Sequence, residues 1–147
     1  MIFTPKQIDE IAQEIEGGMK VYINLITHEI KTIFDWEDSF GDTEEWEEEQ
    51  AAIEDEWTNF AVITKMKSRE AYRVMENFIK EIHDVDLQQN LVRVLERKRP
   101  FAHFKEVVES SPYRKNWFDF RFSAAKDYVK EKLEYEGFKI ENGSTSL

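Results

Sequence analysis

Arg99, Lys105 and Arg121 are the residues whose types and setting could best make a binding site. Each lies close in sequence to aromatic rings: Phe101 and Phe104 accompany the first two, and Trp117 and Phe120 accompany the third. Cations placed among rings can stack on them, pair with Glu76, Glu109 or Asp119, or converge on a small anion in a groove between two helices. Metal chemistry would have to rest on His28, His83, His103 and the acids. The densest cluster is His83-Asp84-Val85-Asp86, but Asp86 is expected to serve as a helix cap. His103, among Phe101, Phe104 and Val107, reads as a half-buried packing residue. No metal and no cofactor are expected. Cysteine is absent, which excludes thiolate ligands, disulfides and a thiol nucleophile. There is no Walker-type loop, dinucleotide fingerprint or Gly-x-Ser-x-Gly elbow, and 5 glycines leave little for a phosphate-cradling loop. No catalytic residue can be assigned.

Charge carries more information than motifs. The net charge of the 147 residues is −11, yet 12 acidic residues and no Lys or Arg fall between Asp35 and Glu56. Trp46, Ile53 and Trp57 punctuate this block at helical offsets, which predicts a helix over 43–56 with a thin apolar stripe and an acidic outer face. Trp46, Glu47, Glu48 and Glu49 are its candidate contact surface for a basic protein partner. The opposing cluster, Arg93 with Arg97-Lys98-Arg99, would suit nucleic acid, but the acidic total and the helix end it occupies argue against that, so no nucleic-acid partner is expected. No apolar run reaches the roughly 18 residues a membrane helix needs, and no secretory signal is visible at the start. A cytoplasmic location without membrane contact is expected.

The elements that would position these residues are legible from spacing. Thr4, Pro5 and Gln7 form a capping box ahead of Ile8, Ile11, Ala12 and Ile15, which predicts a helix over 5–16. Val21–Ile23 and Ile30–Phe34 read as a hairpin, joined by a third strand over 57–63. From Ser68 onward the pattern is helical. One helix is capped by Ser68, one opens at Asp86 and ends at Arg97-Lys98-Arg99, and one opens at Pro100 with Phe101, Phe104, Val107 and Val108 inward. The last runs to about Glu136 and is closed by Gly137. The dense series Trp117-Phe118-x-Phe120-x-Phe122 exceeds one helical stripe, so some rings must leave the core face. The expected fold is α+β: an N-terminal helix, a small antiparallel sheet with the acidic helix, and a C-terminal helical bundle. One domain over 1–138 and a polar tail over 139–147 are expected.

Tyr72-x-x-Met75-Glu76-Asn77-Phe78-Ile79, Leu91-x-x-x-Leu95, Arg99-Pro100-Phe101-x-x-Phe104-Lys105 and Trp117-Phe118-x-Phe120-Arg121 together resemble uncharacterised protein family 0158, a bacterial group of small acidic proteins. The resemblance covers about residues 5–138 and implies the architecture above, without any catalytic residue. Two departures bear on packing: Lys65-Met66-Lys67 stands where relatives often have a proline after the third strand, and Lys132-Leu133 where they often have Trp-Leu. The functional expectation is a non-enzymatic interaction or regulatory module whose acidic helix meets a basic partner. The alternative is a small-anion binder or enzyme using Arg99, Lys105 and Arg121.

Overall fold

The computed structural model describes residues 2–34 and 59–141. Its fold is α+β. The elements are β1 (Ile2–Phe3), α1 (Pro5–Glu16), β2 (Met19–Asn24), β3 (Ile30–Phe34), β4 (Phe60–Ile63), α2 (Ser68–Ile79), α3 (Val85–Leu95), α4 (Pro100–Glu109), α5 (Arg114–Tyr135) and β5 (Lys139–Ile140). The described residues divide into two compact units, one of 2–34, 59–65 and 125–141 and the other Met66–Ala124. The acidic segment, including Trp46, Glu47, Glu48 and Glu49, lies outside the described residues.

The first unit begins with the expected capping box. The Thr4 hydroxyl accepts from the Gln7 amide at 3.1 Å, and the Thr4 amide donates to Gln7 Oε1 at 2.9 Å. Helix α1 then buries Ile8, Ile11, Ala12 and Ile15, one stripe at helical spacing. The three-stranded sheet has order β3-β2-β4 and is antiparallel throughout, with Val21 opposite both Thr32 and Ile63. Central β2 buries Val21, Tyr22 and Ile23 in succession, so both of its faces are covered. The hairpin turn needs no Asn-Gly pair. Asn24 Oδ1 accepts from the amides of Ile26 and Thr27 at 2.8 and 3.0 Å, and His28 adopts φ 64° to return the chain.

Residues Lys139–Ile140, placed by the sequence in a polar tail, instead form β5 in parallel with β1. Phe138 accompanies the pairing with an edge-on contact to the buried Phe3 ring, centroids 5.2 Å apart. The chain reaches β5 through a Schellman turn at the end of α5. Phe138 N–H donates to Leu133 and Gly137 N–H to Glu134, with Gly137 at φ 92°. Lys132, one of the departures from the family pattern, holds its ammonium 5.3 Å from the centre of the Tyr128 ring, and Leu133 beside it is fully buried.

The second unit packs α2, α3, α4 and the first half of α5 around Met75, Phe78, Leu91, Val94, Phe104, Val108 and Trp117. Two caps differ from expectation. Ser68 is the first helical residue of α2, whose cap position is Lys67 without a side-chain bond. Helix α3 is capped by Asp84, which accepts from the Leu87 amide at 3.1 Å, while Asp86 lies in the first turn. Both carboxylates suit an N-terminus, but only Asp84 has the extended backbone that lets the side chain turn back. Helix α3 also ends at Leu95, so Arg97-Lys98-Arg99 form the bend before α4, and Arg93 is the cation in the last turn. Pro100 opens α4 as expected. Between α4 and α5, the Ser111 hydroxyl donates to the Val108 carbonyl at 2.6 Å and accepts from the Tyr113 amide at 3.1 Å, closing the turn.

Candidate functional site

Both described clefts of the second unit are built on α2. Tyr72 locks this helix to the end of α3, its hydroxyl donating to the Leu95 carbonyl at 2.9 Å. At the other end, Gln88 Nε2 donates to the Ile79 carbonyl at 3.0 Å and so satisfies a carbonyl at the α2 terminus. The space between these ties is a cleft of about 630 Å³. Its apolar lining includes Ile79, Val92 and Leu95, and its charged residues are Glu76, Lys80, Arg93 and Glu96. Two acids against two bases make the charged lining neutral.

The second cleft, of about 460 Å³, is lined by Ser68, Arg69, Tyr72, Arg73, Glu76 and Phe101. Arg69 and Arg73 are one helical turn apart on α2, so their side chains rise from the same face. Phe101 arrives from the second position of α4. The backbone before it is set by Arg99, at φ 55° and ψ 52°, and by the ring of Pro100. The sequence places Phe101 in the core with Phe104, but the structure separates them: Phe104 is fully buried, whereas Phe101 is 40% exposed. Phe104 and Val108, one turn apart, hold the buried face of α4, whereas Phe101, in the first turn, lies outside that cluster.

The three candidate cations fall as follows. Arg99 is exposed in the bend, and Lys105 is exposed on α4 beside the buried Phe104. Arg121 is partly buried on α5 and is engaged in an interaction of its own. None of the three lines either cleft. The ion pair seen at this end of α5 is Lys115 with Asp119 at 3.0 Å, both well exposed. His103, expected to be half-buried, is exposed, because it occupies the outer side of α4 opposite Phe104 and Val108. His83 is exposed as well. Among the described residues, no group of three or more metal-binding side chains comes together.

The aromatic series of α5 divides by helical phase. Trp117 is buried and meets Phe78 and Phe104 at centroid distances of 5.1 and 4.9 Å. Phe120 meets Phe78 at 5.3 Å. Phe118 turns outward, 38% exposed, under the guanidinium of Arg114 at 5.3 Å. Arg69 and Arg73 were the residues that motif spacing alone left unnoticed; their i, i+4 interval on a helix was the available signal.

Among the described residues, no helix is long and apolar enough to cross a membrane. The model of Uncharacterised protein family (UPF0158) matches residues 1–143, and the chain belongs to that family. No curated protein and no solved structure matches it.

Proposed function

We propose that this member of the family is a non-enzymatic, cytoplasmic interaction or regulatory module that uses its acidic segment to meet a basic protein partner. The observation that carries the reading is the segregation of charge along the chain. Residues 35–56 hold 12 acids and no Lys or Arg, whereas the unit Met66–Ala124 holds 12 bases and 9 acids, a balance of +3. Charges kept only for solubility serve as well when mixed; a block of one sign raises a local field that steers an oppositely charged surface and rejects like-charged ones. Trp46 beside Glu47, Glu48 and Glu49 adds an aromatic anchor to that field, the combination that interfaces favour.

Affinity capture from the native cell tests the reading. The wild-type chain is compared with the triple variant Glu47→Gln, Glu48→Gln and Glu49→Gln. A basic protein recovered by the first and lost by the second supports the proposal; identical recoveries by both contradict it.

The alternative, a small-anion binder or enzyme using Arg99, Lys105 and Arg121, has one observation in its favour. Arg99 is held in the left-handed backbone region, a conformation that costs a non-glycine residue about 1 kcal/mol or more and recurs at functional sites. Thermal-shift screening with sulfate and phosphate tests it. An anion at a hundred times its dissociation constant adds about 2.7 kcal/mol of stability. A gain that disappears in Arg99→Ala and Lys105→Ala favours this reading, and no gain removes it.

A further inference from the structure

We infer that the cleft formed by α2 and the start of α4 binds a mononucleotide, with its phosphate on Arg69 and Arg73 and its base against Phe101. Three observations converge there. The first is cationic. Arg69 and Arg73 are exposed and line the same cleft, and no ion pair among the described residues engages either. Their Cβ atoms stand about 5–6 Å apart at this spacing, close enough for two planar guanidinium forks to close on one phosphate. No glycine-rich loop is needed when side chains supply the donors.

The second observation is the ring. Phe101 remains 40% exposed although it opens an amphipathic helix whose next inward residue, Phe104, is fully buried. Pro100 at the first helical position fixes the backbone beside it, so the attachment point of the ring is set before any ligand arrives. A flat apolar face beside unpaired guanidinium groups matches a ligand that is anionic at one end and aromatic at the other. Tyr72 is a second ring of the lining, and its hydroxyl is already committed to Leu95, which fixes it as a wall.

The third observation is polarity along the cleft. Glu76 follows Arg69 by seven residues and Arg73 by three, about 10 and about 4.5 Å along the helix axis, so a carboxylate borders the cationic end of the same cleft. Its carboxylate accepts hydrogen bonds from ribose hydroxyls or an exocyclic amine, and it repels a second phosphate. A ring and a hydrogen-bond acceptor in the same lining as two guanidinium groups favour a nucleoside monophosphate over a free phosphate, and the nearby carboxylate disfavours a polyphosphate. A cavity of about 460 Å³ falls within the roughly 300–1,000 Å³ usual for small-molecule sites.

Isothermal titration of the full chain with AMP, GMP, CMP and inorganic phosphate tests the assignment. The expected result is saturable binding of at least one nucleotide, about tenfold or more tighter than inorganic phosphate. The double variant Arg69→Ala with Arg73→Ala should weaken that nucleotide by about tenfold or more. Phe101→Ala should weaken the nucleotide and leave the affinity for inorganic phosphate unchanged. All three side chains are substantially exposed, so circular dichroism should show these variants folded as the wild type. Absence of nucleotide binding, phosphate bound as tightly as every nucleotide, or a double variant that binds like the wild type would each overturn the assignment. A reduction by Arg99→Ala with Lys105→Ala alone, and none by Arg69→Ala with Arg73→Ala, overturns it too and moves the anion to the other set.

Discussion

Phe104 shows at a single position how this chain converts spacing into stability. Its ring is fully buried against Trp117, 4.9 Å between centroids, in the cluster that also holds Phe78 and Leu91. Truncation to Ala removes that ring from a core that cannot fully close around the gap, so Phe104→Ala should cost about 3–5 kcal/mol. Phe101→Ala, by contrast, should cost less than about 1.5 kcal/mol, because much of that ring is already in water. Paired denaturant titrations check both, and equal losses would contradict the division of roles between the two rings. Thr4→Ala breaks a reciprocal pair of cap bonds and should cost about 1 kcal/mol. The cap, the helix stripe and Pro100 were legible in the sequence because each depends on residues within four positions. The outward turn of Phe101 and His103 was not, since it depends on which face of α4 meets Phe78 and Trp117.

The helices differ in how openly the sequence announces their ends. Asp84 and Asp86 both invite the cap of α3, and only the extended backbone at Asp84 decides between them. Replacing Asp84 with Ala should therefore cost about 1 kcal/mol, and the same change at Asp86 about half of that or less. Thermal unfolding of the two variants checks the assignment; a larger loss at Asp86 would reverse it. At the far end of α5, Gly137 stands at φ 92° with open space where a Cβ would go. Backbone strain alone then sets the cost of Gly137→Ala, about 1–2 kcal/mol. The antiparallel three-stranded sheet and α1 followed from local patterning. Strand β5 did not, because a two-residue parallel pairing between opposite ends of the chain leaves no periodic trace.

On the scale of the whole molecule the distribution of charge is the dominant fact, and it separates the readings of function. The net charge of −11 opposes the long-range approach of any phosphate backbone, although Met66–Ala124 carries +3. No complex with duplex or single-stranded nucleic acid tighter than about 10 μM is expected near physiological salt. A salt-sensitive submicromolar complex would promote the Arg97–Arg99 bend to a binding surface. The candidate cations Arg99, Lys105 and Arg121 could be named from sequence, but whether they share a concavity is a matter of tertiary packing. The clefts that α2 builds draw on other residues instead. The central claim concerns the acidic segment, and it is tested most directly by titrating the captured basic partner against the purified chain over a range of salt. The account predicts an affinity that falls steadily as salt rises, and a loss of about tenfold at low salt in the variant with Gln at 47, 48 and 49. An affinity indifferent to both salt and the three substitutions would contradict it.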